Sequence, residues 1–492
     1  MTKTRWVPRA AVGLAALLAA LAAGFGTAAA HAPVIGVVPN AVAGSLAPGA
    51  SMNVTKTVHT TEIPPLVDIL LLEDETFSFV DDIANLQALA APGGPLITEL
   101  DDTGADYATG VAGFRDFAQF PWGDPGDWVY RRLADITPGD AGLLAGVPLL
   151  TAGGGSDIPE AQLEALHYAG DVLHAAIDSN GDGDTTDAND TPQGQQPSWR
   201  PGAKRVILLA TDAECHFTGD ASGWPGDAAT TSAGAIATFL SGQDITVIGL
   251  TPGGAGTIAC VDALAAGTGG TVHATTATGE DIVEAIMEGL GNLPVTVTPS
   301  GVCDPGLSVV FAPASQMVTS GDDAVFVETI TADAAAPQGM TLTCTVEFLI
   351  DGMSAGPRFR QTIEIDILDV TPPTAGCFET TNPSGKNVPQ AGPSAGKSGQ
   401  NPDGFYLLRA GDNVDVASIV VMDSGSSFVS DPFVSGDKVK ITQTPGGTPS
   451  DTRPGPGGIT SHLKLVGDAI LVVTDTSGNV TRVRCLVPPP PK

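Results

Sequence analysis

A run of oxygen-bearing side chains between residues 74 and 82 has the residue types and spacing to do chemistry. Asp74, Thr76 and Ser78 alternate along the chain, and Asp81 and Asp82 follow closely. Carboxylate and hydroxyl oxygens are hard donors, and without Cys or His among them they suit Mg²⁺, Mn²⁺ or Ca²⁺ rather than zinc. The run therefore predicts a divalent-cation site, and a merely solvated acidic turn is the alternative.

The residues on either side of this run predict a strand-to-helix turn. Ile69 to Leu72 form the apolar run that is typical of a fully buried parallel strand. Ile83, Leu86 and Leu89 then recur at the spacing of one helix face. An open α/β sheet places its ligand site at the carboxyl ends of its strands, so this turn is an expected position for a binding site.

The surrounding region, residues 66–292, alternates strand and helix patterns. The predicted strands are Val67–Glu73, Gly110–Phe114, Arg205–Thr211, Ile245–Leu250 and Thr271–Ala274. Helices are predicted over 157–177, 231–240, 258–266 and 280–290. This alternation predicts a parallel-rich sheet that is covered on both faces.

Five stretches of this region resemble, in order, motifs of the I-like domain of integrin β subunits, which is a von Willebrand factor A (vWA) domain. The first is the Asp-x-Thr-x-Ser run with its trailing acidic pair. The others are Thr109–Asp116, Gly155–Glu160, Arg205–Ala213 with the following His216-Phe217 and Gly219-Asp220, and the apolar strand Ile245–Leu250. The resemblance implies a doubly wound, Rossmann-like vWA domain that binds metal ions and a ligand without catalysing a reaction.

The same resemblance implies three neighbouring cation sites. The central site, holding Mg²⁺ or Mn²⁺, would be formed by Asp74, Thr76, Ser78, Glu160 and Asp212, with one vertex left for a ligand carboxylate. An adjacent Ca²⁺ site would use Asp81, Asp82 and the carbonyl of Ser78. A third site, also for Ca²⁺, would use Asp116, Asp157, Glu160 and the carbonyl of Pro159. Thr76 replaces the usual serine of the family, and Gly155 replaces an asparagine ligand of the third site.

A separate acidic segment, residues 178–190, has the spacing of an EF-hand-like Ca²⁺ loop. Loop positions 1, 3, 5 and 7 are occupied by Asp178, Asn180, Asp182 and Asp184. Position 12 is Asn189, so the bidentate ligand is missing unless Asp187 or Asp190 replaces it. Bound Ca²⁺ is predicted to stiffen an insertion, and a solvated acidic loop is the alternative.

Several aromatic and histidine residues of the region have less specific roles. His167 and His174 lie on one predicted helix without a Glu-x-x-His frame, so we expect packing or surface exposure rather than zinc binding. Packing is also the expected role of His216. Trp122 and Trp128 lie in the segment that corresponds to the specificity loop of the family, where they either contact the ligand or pin the loop.

The segments outside residues 66–292 predict β structure. The alternation in Met52–Val58 predicts a strand that must pair with a later segment. The resemblance implies that residues 31–65 and 293–370 are the two parts of a hybrid-like β-sandwich into which the vWA domain is inserted. The ending Thr474–Cys485 resembles the last hairpin of an immunoglobulin-like module, so 371–492 is predicted to be an immunoglobulin-like β domain.

The beginning of the chain and its cysteines predict an exported protein. Residues 1–30 have the form of a secretory signal peptide, with basic residues, an Ala/Leu-rich stretch and a final run of alanines. No later apolar run reaches the roughly 18 residues that span a bilayer. In an exported chain the six cysteines suggest disulfides, and local pairing predicts Cys215–Cys260, Cys303–Cys344 and Cys377–Cys485. We therefore expect a protein that is secreted or located at the cell surface.

The formal net charge of −33 argues against nucleic acid or an anionic membrane as a partner. The first hypothesis is a metal-dependent adhesion or ligand-binding protein whose partner is a protein carboxylate, with another surface protein as a further partner. The second is a structural or assembly component of a cell-surface or extracellular complex, in which metals only stabilise the fold. A hydrolase ranks last because no nucleophile–base pair accompanies the acidic cluster.

Overall fold

The first strands of the chain belong to sheets that are completed only after residue 293. The computed structural model describes residues 35–252, 257–276, 281–380, 404–455 and 457–486, so the predicted signal peptide lies outside the described residues. The chain begins with strands β1 (Gly36–Val38), β2 (Ala41–Leu46) and β3 (Ser51–His59). β3 pairs antiparallel with Asp323–Ala332, and β2 pairs parallel with Arg360–Ile367. The strand predicted at 52–58 thus has the later partner that an isolated strand requires.

A six-stranded α/β sheet follows. Its strands are β4 (Leu66–Asp74), β5 (Asp106–Phe114), β6 (Arg131–Pro138), β7 (Lys204–Ala210), β8 (Ile245–Pro252) and β9 (Val272–Thr275). Their order is β6-β5-β4-β7-β8-β9, and every neighbouring pair is parallel except β5 and β6. The predicted parallel-rich sheet is confirmed, with an antiparallel edge strand, β6, that the sequence pattern did not predict.

Helices pack on both faces of this sheet. They are α1 (Val80–Leu89), α2 (Pro95–Asp102), α3 (Ala141–Gly146), α4 (Gln162–Gly170), α5 (Ala233–Gly242), α6 (Ala259–Thr268) and α7 (Ile282–Gly291). Successive side chains of β4 point to opposite faces, so Ile69 and Leu71 pack with α1, α2 and α7, whereas Leu70 and Leu72 pack with α4, α5 and α6. The central strand is therefore buried on both sides, as its unbroken apolar run predicted.

The helix predicted over 157–177 is wrong in its bounds, because α4 covers only Gln162–Gly170. Gly170 ends it against Phe239 and Leu240, whose side chains leave no room for a Cβ atom at that position. Asp171 then takes an extended conformation, and its Oδ1 accepts the backbone N–H of Leu173 at 2.9 Å. Such a local bond competes with helix propagation.

After α7 the chain returns to the sheets that β1–β3 began. The new strands are β10 (Pro294–Cys303), β11 (Leu307–Ala312), β12 (Gln316–Thr319), β13 (Asp323–Ala332), β14 (Thr341–Ile350), β15 (Met353–Ser354) and β16 (Arg360–Ile367). One sheet has the order β1-β3-β13-β11, and the other has the order β12-β10-β14-β16-β2 with β15 paired to β14. Buried residues of both sheets, such as Phe326 and Phe348, share one core. Strands that lie before and after the α/β sheet in sequence therefore form one packed unit.

The described residues after β16 form two further sheets. Their strands are β17 (Thr374–Glu379), β18 (Phe405–Gly411), β19 (Val416–Asp423), β20 (Lys438–Gln443), β21 (Ser450–Thr452), β22 (Ser461–Leu465), β23 (Ala469–Asp475) and β24 (Val480–Cys485). The sheet orders are β17-β18-β20-β22-β21 and β19-β23-β24. Tyr406 of the first sheet and Leu471 of the second are buried in the same core.

Three disulfides join the predicted pairs, Cys215–Cys260, Cys303–Cys344 and Cys377–Cys485. The first ties the segment after β7 to α6. The second joins opposite residues of β10 and β14, and the third joins β17 to β24. Among the described residues no helix is both long enough and apolar enough to cross a membrane.

Candidate metal centre

Asp74, the last residue of the central strand β4, is the floor of the candidate site. Its Oδ1 accepts hydrogen bonds from the backbone N–H of Thr76 at 2.9 Å and from the Thr76 hydroxyl at 2.7 Å. Its Oδ2 accepts the hydroxyl of Thr211 at 2.9 Å. Burial nevertheless raises the pKa of Asp74 to about 7, and the nearby charge of Asp212 adds to the shift. A buried carboxylate of this kind is stabilised by a cation.

Ser78 and Asp212 form the outer edge of the site. The Ser78 hydroxyl donates to Asp212 Oδ1 at 3.1 Å and lies 3.2 Å from the Thr76 hydroxyl. Asp212 follows β7, which is the parallel neighbour of β4, so the ends of the two strands lie side by side. A cleft of about 160 Å³ opens here and is lined by Thr76, Phe77, Ser78, Gly154, Gly155, Asp157, Ile158, Glu160 and Asp212. Four of the five residues predicted for the central site thus line one cleft, with Asp74 buried nearby.

The loop of residues 153–160 forms the opposite wall of the cleft. The Gly154 carbonyl accepts the backbone N–H of Phe77 at 3.3 Å. Asp127 Oδ2 accepts the N–H of Gly155 at 2.9 Å, while Arg115 donates to Asp127 Oδ1 at 3.3 Å. Gly154 has a φ of +79°, and a Cβ atom there would lie 1.8 Å from Asp127 Oδ1. Glycine is therefore required at position 154, both for its conformation and for the close approach of Asp127.

Asp116 and Glu160 are buried carboxyls that face each other beside the cleft. Both side-chain oxygens of Asp116 and Oε2 of Glu160 are buried and accept no hydrogen bond from a third residue, although the two carboxyls lie close enough to share a proton. Burial raises the pKa of Glu160, and the neighbouring Asp116, Asp74 and Asp212 raise it further. Burial likewise raises the pKa of Asp116. Unsatisfied carboxylate oxygens in such a cluster fit a divalent cation that binds through hard oxygen donors.

The residues of the predicted adjacent site lie at the start of α1, after Ser78. Asp81 is exposed, whereas Asp82 is half-buried and its Oδ1 has no hydrogen-bond partner. Burial raises the pKa of Asp82, and the charges of Asp212 and Asp81 add to this shift. Glu73 lines a small pocket with Asp82, and its Oε2 is likewise buried and unpartnered. Sequence analysis did not single out Glu73, because one acidic residue at the end of an apolar strand carries no spacing signal.

The residues of the predicted third site lie together in the wall of the cleft. Asp157, Pro159 and Glu160 belong to one loop, and Asp116 faces Glu160. Asp157 Oδ1 is buried without a hydrogen-bond partner, and its Oδ2 lies 3.5 Å from Nε2 of His216. The His216 ring stacks on Trp224 with ring centroids 4.0 Å apart. His216 therefore packs, as expected, and also contacts a predicted metal ligand.

Two residues that sequence analysis missed orient the floor of the site. Thr211, which donates to Asp74, itself accepts a hydrogen bond from the Gln162 side-chain amide at 2.9 Å. Gln162 is the first residue of α4, and it also donates to the Ala213 carbonyl at 3.0 Å. Thr211 opens the Thr-Asp-Ala sequence of residues 211–213, and this motif was the signal that could have indicated its role in orienting Asp74.

Trp128 pins the loop that precedes the wall. The ring is buried between the guanidinium groups of Arg115 and Arg131, at 3.9 and 3.5 Å from the ring centroid. Trp122 donates from its ring nitrogen to the Ser222 hydroxyl at 3.1 Å. These contacts favour the pinning role for Trp128 over ligand contact.

The EF-hand-like loop has tight local turns. Asp178 accepts the backbone N–H groups of Gly181 and Gly183 at 2.7 and 2.8 Å. Asn180 donates to Asp187 Oδ2 at 3.0 Å, whereas the buried Asp190 accepts the backbone N–H groups of Ser179 and Asp187. Of the two substitutes considered for position 12, Asp187 contacts the predicted ligands. Calcium binding by Asp178, Asn180, Asp182 and Asp184 stays a prediction.

Comparisons with known proteins find similarity at the level of solved structures. No protein-family model matches the chain, and no curated protein matches it. A von Willebrand factor type A structure from Catenulispora acidiphila is 12% identical, with 68% of this chain and 72% of that chain covered and a TM-score of 0.32. The ArnB paralog VWA2 from Sulfolobus acidocaldarius is 11% identical, with coverages of 65% and 71% and a TM-score of 0.28. Mussel byssus proximal thread matrix protein 1 with a zinc-occupied MIDAS motif is 14% identical, with coverages of 49% and 50% and a TM-score of 0.29.

Proposed function

We propose that the protein is an exported, non-enzymatic adhesion or ligand-binding protein that binds a carboxylate of a protein ligand through a divalent cation. The observation that carries this proposal is the convergence of oxygen donors from separate segments at the carboxyl ends of β4 and β7. Four carboxylate oxygens there, on Asp116, Asp157 and Glu160, are buried without hydrogen-bond partners. A cation at the cleft would satisfy acceptors that otherwise cost free energy to bury.

Asp74, Thr76, Ser78, Glu160 and Asp212 would hold the central ion, which we propose to be Mg²⁺ or Mn²⁺. The ion supplies positive charge at the mouth of the cleft, and this attracts an anionic group of the partner. The hydroxyls of Thr76 and Ser78 lie at the cleft surface, and the Asp74 carboxylate remains buried among its hydrogen bonds. Ca²⁺ at the flanking sites would neutralise Asp82, Asp116 and Asp157 in the same region.

Two exposed apolar side chains at the cleft bear on the ligand class. Phe77 and Ile158 line the cleft and are 72% and 76% exposed. Large apolar side chains beside a polar centre are typical of binding surfaces. We therefore propose a ligand in which an acidic side chain is flanked by apolar residues.

In this proposal, the β sheets outside the α/β sheet support the site. The unit formed by residues 36–59 and 294–367 would correspond to an integrin hybrid-like β-sandwich, and residues 374–485 would correspond to an immunoglobulin-like domain. The support is that β3 and β16 join segments from before and after the α/β sheet. The site would then be presented outside the cell or on its surface.

The test is binding to an array of peptides with a single Asp between apolar residues, measured in Mn²⁺ and in EDTA. We expect Mn²⁺-dependent binding that Asn-for-Asp peptides and the Asp74→Ala variant lose. Asp262→Ala, which removes an exposed acid on α6, is the matched control and should bind as wild type.

The outcome that contradicts the proposal is wild-type binding that EDTA does not change, or no binding together with an Asp74→Ala variant that unfolds. The second result would favour the structural role, with metals that only stabilise the fold.

A further inference from the structure

A second group of potential metal ligands lies beside α4, apart from the cleft. His167 is in the last turn of α4, His174 follows that helix, and Asp227 belongs to the segment between β7 and α5. One potential ligand atom from each of the three lies within 4.8 Å of the other two. The sequence predicted packing or surface exposure rather than zinc binding for both histidines, and their rings do pack, with centroids 4.9 Å apart.

The ring nitrogens carry the argument beyond packing. Both histidines are more than nine-tenths buried, and Nδ1 of His167 and Nε2 of His174 have no hydrogen-bond partner. His174 Nε2 lies 3.7 Å from Asp227 Oδ2, which is too far for a hydrogen bond. Two unsatisfied imidazole nitrogens beside one carboxylate therefore need a further partner.

The surroundings orient these groups as metal ligands are oriented. The other nitrogen of His174, Nδ1, lies 2.8 Å from the carbonyl of Ala175, so it donates there and leaves a lone pair on Nε2. Asp227 Oδ1 accepts the N–H of Ala229 at 2.8 Å, which leaves Oδ2 free.

We propose that His167, His174 and Asp227 form a zinc site that is separate from the cation site in the cleft. Two imidazole nitrogens and one carboxylate are ligands that Zn²⁺ prefers, and three protein ligands leave a fourth position for water. The side chain of Asp227 is 41% exposed, so this fourth position faces solvent.

The ion would fasten the segment between β7 and α5 to the end of α4. Glu164 of α4 already accepts the N–H of Asp227 at 2.8 Å and the hydroxyl of Thr230. The same segment contains Trp224, which supports His216 against Asp157 in the wall of the cleft. Zinc binding is thus expected to stiffen one wall of the ligand site without contacting the ligand.

The test uses the full-length protein with excess Mg²⁺ and Ca²⁺, so that the sites made of oxygen donors alone do not compete for the metal, and Co²⁺ as a spectroscopic substitute. We expect one equivalent of Co²⁺ with the intense visible bands of tetrahedral nitrogen and oxygen coordination, displaced by one equivalent of Zn²⁺. Either His174→Gln or Asp227→Asn should abolish these bands and lower Zn²⁺ affinity by more than about 100-fold. His273→Gln, a change at a histidine outside this group, should retain both.

Asp227→Asn decides the matter if His174→Gln fails to fold, because asparagine keeps the Oδ1 acceptor for Ala229. Bands that never appear, or that persist in Asp227→Asn, would overturn the proposal. A failure of peptide binding in the cleft leaves this outcome unchanged, so the two proposals are tested separately.

A second, independent cluster lies where the linker, residues 370–372, meets the two C-terminal sheets. Asp369 precedes β17, Asp412 follows β18, and Asp475 ends β23, and one carboxylate oxygen of each lies within 4.8 Å of the other two. Asp369 and Asp475 are more than nine-tenths buried. Asp369 Oδ2 and Asp412 Oδ1 are buried oxygens without a hydrogen-bond partner. The oxygens of Asp475 accept hydrogen bonds from Ser477 and Asn479, so the unpartnered oxygens of Asp369 and Asp412 are the ones that lack a positive partner.

We infer that this cluster binds Ca²⁺, because all its donors are carboxylate oxygens. Asn413 and Asn479 hold Asp369 in place by donating to its Oδ1 and to its backbone carbonyl, at 3.1 and 3.0 Å. The bound ion would fix the exposed linker residues 370–372 against the C-terminal sheets.

Proteinase K cleavage of this linker, followed with and without Ca²⁺, tests the inference. We expect Ca²⁺ to slow cleavage at least about tenfold in wild type and in Asp415→Asn, an exposed neighbour of equal charge, but not in Asp412→Asn. Equal protection of Asp412→Asn, or no protection of wild type, would overturn it.

Discussion

At the scale of single residues, the candidate metal centre consists of carboxyls that are buried together. Asp116 and Glu160 face each other with unpartnered oxygens, and Asp74 and Asp212 raise the pKa of Glu160 further. Burying one unpaired charge costs several kcal/mol. Such a cluster destabilises the protein when no cation is bound. The binding role proposed for the cleft gives a reason for keeping these carboxyls together.

Replacing Asp116 with asparagine separates stability from metal binding. Without metal, Asp116→Asn should raise the free energy of unfolding by about 1–3 kcal/mol, because it removes a carboxyl whose charged form burial disfavours and gives Glu160 a permanent hydrogen-bond donor. It should also weaken Mn²⁺ binding by about 10- to 100-fold. Urea unfolding in EDTA and Mn²⁺ titration calorimetry measure the two effects. Asp262→Asn changes the net charge equally and should alter neither, whereas a destabilised Asp116→Asn variant would show that Asp116 is satisfied without metal.

The pH dependence of Mn²⁺ binding follows from Asp74, whose pKa is raised to about 7 by burial. Below pH 7 the ion must displace this proton, so Asp74 should contribute a rise in Mn²⁺ affinity of up to about tenfold per pH unit between pH 5 and 7, and the raised pKa values of Asp116 and Glu160 add to this dependence. The metal-free protein should behave oppositely. Since the folded pKa lies above the unfolded value of about 3.9, the stability from the protonated form is complete below pH 4 and is lost as the pH rises to 7. Calorimetry across this range and melting in EDTA check both signs, and Asp74→Asn should reduce both slopes by the contribution of one proton.

Sequence alone was sufficient to name most donors that line the cleft but not the residues that orient them. Asp74, Thr76 and Ser78 are recognisable because they occupy alternate positions in one short stretch of sequence. Thr211 and Asp127 act through contacts with residues far away in sequence, at 137 and 28 positions. Such pairings depend on the order of strands in the sheet, which local residue patterns do not contain.

At the scale of elements, the loop of residues 153–160 determines the width of the cleft. Gly154→Ala would force its Cβ atom into Asp127 and strain a left-handed residue. We expect a loss of about 1–2 kcal/mol from the backbone alone and a larger effect on Mn²⁺ affinity, because the loop carries Glu160. Gly104→Ala is the matched control, since Gly104 has a φ of +67° and open space around it. Equal Mn²⁺ affinity in the two variants would show that the loop does not position a ligand.

The same loop explains why the helix predicted over 157–177 began too early. The apolar residues Leu163 and Leu166 do lie on one face of α4, but the pattern before residue 162 belongs to the wall of the cleft. By contrast, strand β4 was predicted within one residue at each end, because burial on both faces leaves an unbroken apolar run. Residues that serve a site follow the geometry of the site rather than the period of a helix.

At the scale of the whole molecule, a buried polar group fixes how the first strands pair with those after the α/β sheet. Lys56 of β3 lies 3.4 Å from Glu328 of β13, and Glu328 accepts two hydrogen bonds from Gln361 of β16. Glu328→Gln should lower the free energy of unfolding by about 3–5 kcal/mol, because it leaves the buried Lys56 charge without a counter-charge, with the Pro39 carbonyl at 2.9 Å as its remaining acceptor. Urea unfolding checks this value. Adding Lys56→Met to that variant should recover much of the loss, and no recovery would contradict the pairing role.

The distribution of tryptophan lets the metal-linked part of the molecule be observed separately. Trp122, Trp128, Trp199 and Trp224 all lie between β5 and β8, and Trp6 lies in the predicted signal peptide. Tryptophan fluorescence therefore reports the α/β sheet, whereas calorimetry reports every unit. Mg²⁺ at 100 times its Kd adds about 2.7 kcal/mol to the unit that binds it, so the fluorescence melting temperature should rise by about 5–10 °C over EDTA. In Asp74→Ala that rise should vanish while the remaining calorimetric transitions keep their temperatures. A uniform shift of every transition would mean that the sheets unfold as one unit and that the ion stabilises all of them together.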